Sequence, residues 1–148
     1  MRRALALARE AGAHGEVPVG CIIVRRGAVI AQGRNRREEN ADALGHAEIE
    51  AIGAACRSLG RWRLEDCALY VTLEPCPMCA GAILNARMGQ VFYGARDRKM
   101  GACGGVFDLF FENFNHRPQV VGGLLEAECS ALMKTFFASL RTAQKDQE

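Results

Sequence analysis

No run of apolar residues in this chain approaches the roughly 20 that a membrane-spanning helix needs, so a helical membrane protein is not the expectation. Internal repeats, linkers and low-complexity segments are also missing, which argues against arrays and tethered modules. Nor is there a strong charge of one sign. The formal net charge of +2 is too small to announce a nucleic-acid binder by itself. An export signal is lacking: Met1-Arg2-Arg3 and Ala4 to Ala8 imitate one faintly, but Arg9 and Glu10 interrupt before the roughly 7–15 apolar residues of an h-region. The seven cysteines are odd in number and scattered, with no disulfide framework, so a reducing cytoplasm is the expected location.

What is present fits one ordinary globular domain over residues 1–148, with 49% hydrophobic and 24% charged residues. Of the 19 basic residues only Lys99, Lys134 and Lys145 are lysines. The rest are arginine, which forks onto phosphates and stacks on bases better than lysine. Cys21, Cys56, Cys67 and Cys129 read as small buried hydrophobes.

Hydrophobic periodicity orders the elements. Residues 2–13 predict a short amphipathic helix; Val19 to Val24 and Val29 to Gly33 predict two strands joined by a hairpin at Arg25-Arg26-Gly27. Residues 34–45 read as a loop. From His46, apolar Ile49, Ile52, Cys56 and Leu59 predict one helix face. Leu69 to Leu73 is a strand, and Pro77 suits the first turn of a helix to about Arg87, because its missing N–H would be unpaired there anyway. A strand at Val91 to Gly94, a glycine-rich loop over 95–106, a short helix near Val106 to Phe111 and a strand at Gln119 to Val121 follow. A closing helix from Glu126 to about Thr142 places Leu132, Phe136 and Leu140 at spacing four. A hairpin followed by alternating strands and helices implies a mixed sheet with helices on both faces.

The chemistry concentrates in His46-Ala47-Glu48 and Pro75-Cys76-Pro77-Met78-Cys79. Together they offer one imidazole and two thiolates, plus a carboxylate that a metal does not need. A structural zinc is closed by four protein ligands, whereas a catalytic zinc keeps three and leaves a position for water. Glu48 is then the proton carrier that a hydrolytic zinc site requires. His46 and Glu48 are two residues apart, roughly 200° on a regular helix, so they converge only at a helix mouth, and Gly45 suits such an entrance. Cys76 and Cys79 share a face at the start of a second helix. Two helix N-termini would favour thiolates and a bound hydroxide. A redox pair would not need His46 and Glu48. A closed zinc site would need a fourth ligand, which Cys103, His14 or His116 could supply, though none sits in a paired spacing.

From Glu16-Val17-Pro18-Val19-Gly20 onward the chain resembles the bacterial tRNA-specific adenosine deaminases of the cytidine deaminase superfamily. Asn35-Arg36, His46-Ala47-Glu48 and Leu69 through Ala82 carry the likeness, with Gly94-Ala95-Arg96-Asp97, Lys99, Gly101-Ala102, Asn115-His116 and Phe136-Phe137. The resemblance implies a three-layer α/β/α cytidine-deaminase-like fold with a five-stranded mixed sheet. It implies zinc, one ion per subunit, on His46, Cys76 and Cys79. Adenosine at the wobble position of a tRNA anticodon, usually an arginine tRNA, would become inosine in a homodimer. Glu48 would move protons from the attacking water to N1 of the base and to the departing ammonia. Asn35 would contact the target nucleotide, and Asp97 and its loop would line the RNA path. The family commonly has Pro-Thr-Ala where this chain has Ala43-Leu44-Gly45, and serine where Gly105 stands.

Plainer roles stand beside these. Asn35 is a common turn residue, Asp97 could pair with Arg96 or Arg98 on a solvated surface, and His116 could cap a loop. Arg34, Arg36 and Arg37, with Arg96, Arg98 and Lys99, form two basic clusters on loops leading to the metal helices, which suits phosphate contacts. Phe136 and Phe137 are adjacent, so one is expected in the core and the other at a dimer or RNA surface. Two rival functions remain: deamination of a free base or nucleoside such as guanine or cytosine, and a zinc module that binds RNA without chemistry. The carboxylate of Glu48 argues against the second.

Overall fold

In the computed structural model, which describes residues 1–146, the chain forms a five-stranded mixed sheet with helices on both faces. The elements are α1 (Arg2–Ala13), β1 (Gly20–Arg25), β2 (Ala28–Arg34), α2 (Ala47–Leu59), β3 (Cys67–Leu73), α3 (Pro77–Asn85), β4 (Gln90–Ala95), β5 (Gln119–Val121) and α4 (Glu126–Lys145). The strands lie in the order β2-β1-β3-β4-β5. β1 runs antiparallel to β2 and β3, while β3, β4 and β5 are parallel. This is the three-layer α/β/α arrangement expected, with α1 and α4 on one face and α2 and α3 on the other. The hairpin closes with Arg26 at φ +51° and Gly27 at φ +77°, the left-handed pair that matches strand twist. Among the described residues no helix is long and apolar enough to cross a membrane.

Glycines set how closely the helices approach. A Cβ on Gly33 of β2 would lie 2.3 Å from the Ala47 carbonyl oxygen, so the first turn of α2 rests directly on the strand. That contact selects a face of small residues. The buried positions of α2 are Ala47, Glu48, Ala51, Ile52 and Ala55, whereas Ile49, Cys56 and Leu59 are half-buried. Of the Ile49-Ile52-Cys56-Leu59 face, Ile52 is core and Cys56 and Leu59 pack against it, while Ile49 stands aside at the rim. Bulkier side chains would hold the helix away from Gly33.

On the other face, α4 approaches β4 where a Cβ on Gly94 would meet Cys129 Sγ at 2.3 Å. Cys129 is the buried residue of that helix, and Leu125 and Leu132 pack with it on Leu5 and Ala95. Beyond Met133 the helix leaves the body. Phe136 is only half-buried, and Phe137 and Leu140 are exposed, so neither phenylalanine is core. The helix near Val106 to Phe111 shortens to one 3-10 turn at Leu109–Phe111, capped by the Asp108 carboxylate. Cys21, Cys67 and Cys129 are buried as expected, while Cys56 is half-buried.

β3 and β4 are parallel, so the loops leaving their C-terminal ends emerge on the same edge of the sheet. There they meet the end of β2 and the start of α2. His46, Cys76 and Cys79 all lie on that edge.

Candidate active site

His46 is the N-cap of α2, with extended backbone at φ −87° and ψ 149°, and Cys76 is the N-cap of α3 at φ −73° and ψ 173°. Pro77 occupies the first turn of α3, where no N–H is needed. The two helix mouths face one point. His46 Nδ1 lies 3.6 Å from Cys76 Sγ and 3.5 Å from Cys79 Sγ, and the three donor atoms are all within 4.8 Å of one another. A tetrahedral zinc with bonds of about 2.3 Å to sulfur and 2.0–2.1 Å to nitrogen would set such donors roughly 3.5 Å apart. The donor set therefore fits zinc in type and in spacing.

The electrostatics of the bare cluster suit the same purpose. Hydrogen bonding from Cys79, then from His46, brings the Cys76 thiol down to about 4. The Cys79 thiol is pushed up, first by its hydrogen bond to Cys76 and then by burial. His46 is raised mainly by its hydrogen bond with Cys76. The three donors thus compete for protons that a dication would displace. Glu48, in the first turn of α2, is only 4% exposed, and burial pushes its carboxyl up to about 7. A carboxyl poised near neutrality can both accept and release a proton.

None of the alternative fourth ligands joins the group, which among the described residues comprises His46, Cys76 and Cys79. Cys103 is buried and its thiol is pushed well up by that burial. His14 is exposed, with Nδ1 at 2.8 Å from the Glu10 carbonyl oxygen. His116 donates from Nε2 to the Met88 carbonyl at 2.7 Å, just before β4 and so at the opposite end of the sheet.

The expected substrate contacts lie around the rim. Asn35, at the end of β2, is 6% exposed; its Nδ2 donates to the Val17 carbonyl and its Oδ1 accepts from the Arg37 N–H. Asp97 Oδ1 accepts the N–H groups of Lys99 and Met100, so it shapes its own turn instead of pairing with Arg96 or Arg98. Lys99 is exposed. Arg36 gives Nε to Glu50 and Nη1 to Glu39, and Nη2 has no partner among the described residues. The three-arginine cluster does not form as expected. Arg34 is 3% exposed and bridges Glu39 and Glu10, because β2 ends beneath α1 and leaves it no route to solvent.

Two carboxylates had no role assigned from the sequence. Glu16 is 1% exposed and accepts the Glu39 N–H at 2.7 Å, holding the loop over 34–45. Glu74 is 2% exposed and holds the loop over 97–105. Each stands within two residues of a proline at the edge of an apolar stretch, and a charge in such a place was the available signal.

Known proteins share this fold. The model of the MafB19-like deaminase family matches residues 1–141. A tRNA-specific adenosine deaminase of Bacillus subtilis (strain 168) is 46% identical over 146 residues, 98% of this chain and 91% of that protein. A structure solved in a study of A-to-I editing by tRNA:A34 deaminases at the wobble position superposes with a TM-score of 0.85. It is 47% identical and the match covers 89% of this chain and 96% of that one. A guanine deaminase from Nitrosomonas europaea matches with a TM-score of 0.78 at 28% identity, over 93% of this chain and 82% of the other. Family model, identity over nearly the whole length and fold agree: this chain belongs to the MafB19-like deaminase family and to the tRNA-specific adenosine deaminases.

Proposed function

We propose that this enzyme is a zinc-dependent hydrolase, acting as a cytoplasmic homodimer, that converts adenosine to inosine at the wobble position of a tRNA anticodon. By the family resemblance, an arginine tRNA is the substrate proposed. The observation that carries the reading is the buried carboxylate of Glu48 beside a three-donor cluster that leaves one coordination position open. The identity to tRNA-specific adenosine deaminases supports the substrate class. The fold alone does not, because a guanine deaminase shares it.

His46, Cys76 and Cys79 would hold the zinc, which when bound supplies a Lewis acid that brings a water to nucleophilic strength near neutral pH. Glu48 takes a proton from the attacking water as its oxygen bonds to C6 of the base. It passes a proton to N1, and later protonates the departing amino group, so that water and adenosine leave as inosine and ammonia. Asn35 sits at the rim with its side chain committed to the backbone, and so presents the end of β2 at a fixed position to the nucleotide. Lys99 and the free Nη2 of Arg36 would face flanking phosphates. Single-stranded loops suit such a site, since a base there is extruded with little stacking lost.

Incubation with a tRNA transcript carrying a wobble adenosine, read by sequencing for inosine, tests the proposal. Activity on free guanine, cytosine or adenosine with no inosine in tRNA would overturn it. Phosphate contacts on single strands give log affinity a slope of about −0.7 per contact against log salt. Lys99→Ala is therefore expected to weaken tRNA binding and flatten that slope by about 0.7. An unchanged slope would remove Lys99 from the RNA path.

The homodimer has its own support in exposed apolar side chains. Phe111 is 76% and Phe114 55% exposed, apolar surface that a second copy of the chain would cover. Sedimentation at micromolar concentration is expected to give twice the 16.1 kDa chain mass. A monomer would count against any RNA path shared between subunits.

A further inference from the structure

One loop of this protein is gathered around a single buried carboxylate. Glu74 follows β3 and stands two residues before Cys76. Its Oε1 accepts the Asp97 N–H at 3.2 Å, and its Oε2 accepts the N–H groups of Cys103 at 3.0 Å and Gly105 at 2.9 Å. Its own N–H donates to the Ala95 carbonyl, and the next carbonyl, that of Pro75, accepts from Ala102 at 2.8 Å. The loop therefore closes on the strand end that carries a metal-ligating thiol.

The surrounding backbone has no room for side chains. A Cβ on Gly101 would lie 2.1 Å from Glu74 Oε2, and one on Gly105 would lie 2.0 Å from the Asp97 carbonyl oxygen. Asp97 in turn binds the N–H groups of Lys99 and Met100 through its side chain, so the direction in which Lys99 leaves the loop follows from the anchoring of Asp97. Three donors converging on one group require two acceptor oxygens, and an ionised carboxylate makes each bond stronger than a neutral acceptor would. Glutamine would turn an NH₂ group toward N–H donors on one side. Aspartate is one methylene short of reaching both sides.

We propose that Glu74 is the positioning residue of the loop over 97–105, holding Asp97 and Lys99 in fixed relation to Cys76 and thereby setting RNA binding more than the chemical step. The inference rests on the RNA reading above for its kinetic consequence, but its structural part can be read without activity.

The test uses Glu74→Gln, Glu74→Asp and Gly101→Ala in the zinc-loaded protein, with amide hydrogen exchange, metal analysis and tRNA kinetics. In Glu74→Gln the amides of Asp97, Cys103 and Gly105 are expected to exchange at least about tenfold faster, with zinc still at about one per chain. KM for tRNA should rise about tenfold while kcat changes by less than about threefold. Glu74→Asp should restore part of both effects, which general destabilisation would not. Gly101→Ala, whose Cβ would lie 2.1 Å from Glu74 Oε2, should loosen the same amides while leaving the carboxylate in place. A folded Glu74→Gln with wild-type exchange and KM overturns the inference, as does loss of zinc, which would make Glu74 a support of the metal instead. Should Glu74→Gln fail to fold, the other two variants decide: wild-type exchange and KM in both overturn it equally. A wild-type enzyme that makes no inosine in RNA would fail the RNA reading, while the exchange data would still decide whether Glu74 holds the loop.

Discussion

Glu48→Gln is expected to lower turnover by about 10²–10⁴-fold, and by more if the carboxylate acts in both proton transfers, while zinc content stays unchanged. The side chain is buried beside the cluster without being one of its three donors, so its loss removes a proton carrier and no ligand. Single-turnover rates on a tRNA with a wobble adenosine, with metal analysis in parallel, check this. Near wild-type rates would assign the proton transfers elsewhere. The same variant has an opposite effect on stability. Glu48 titrates near 7 in the folded, metal-free protein and near its ordinary 4.5 when unfolded. Between those values the folded state holds the extra proton, so stability falls as pH rises from 4.5 to 7 and stays low above. Glutamine has no charge to bury. At pH 8 metal-free Glu48→Gln should therefore be more stable than the wild type by up to about 3 kcal/mol, because each tenfold difference in proton affinity between folded and unfolded chain is worth about 1.36 kcal/mol. The gain should vanish below pH 4.5. Equal melting of the two proteins at pH 8 would mean that water reaches Glu48. A catalytic group that costs stability is a common trade-off.

Removing the metal, by chelation or by Cys79→Ser, is expected to abolish activity without unfolding the chain. Zinc fingers unfold when stripped because the ion replaces a core. Here a core of buried side chains, including Ile23, Leu69, Val71, Ile83 and Val91, stands behind the site without any help from an ion. Melting should remain cooperative. Its midpoint should drop, because a ligand at 1,000 times its dissociation constant stabilises by about 4 kcal/mol. For a domain of this length that is roughly 10 °C. Calorimetry with and without chelator, and restoration of activity by added zinc, measure both parts. Retained activity in fully stripped protein would refute the metal assignment.

Much of the molecule could be read in advance because the relevant signals are local. The element order follows from runs of apolar residues and from Gly and Pro punctuation, and the observed strands and helices begin within a few residues of where those signals place them. The metal cluster was equally legible. His46 and Cys76 had to be at helix mouths for their partners to converge, and both are N-caps. The Gly60 C-cap of α2, at φ +63°, is local in the same way.

What periodicity misjudged depended on distance between layers. The inward face of α2 is chosen by Gly33 on another strand, which admits alanines and turns Ile49 aside. Arg34, placed by its sequence neighbours among phosphate-facing arginines, is drawn inside between Glu10 of α1 and Glu39. Phe136 lies on an apolar stripe of α4 that extends past the sheet it was expected to cover.

The sequence by itself determined the chemistry: one imidazole, two thiols and a spare carboxylate at spacings that only two helix starts can bring together. Only the tertiary structure decided how the rim is held. Glu16 and Glu74 bond to backbone N–H groups 23 to 31 residues away. Backbone donors are the same for every residue type, so no pattern of side chains marks which loop a buried carboxylate will hold.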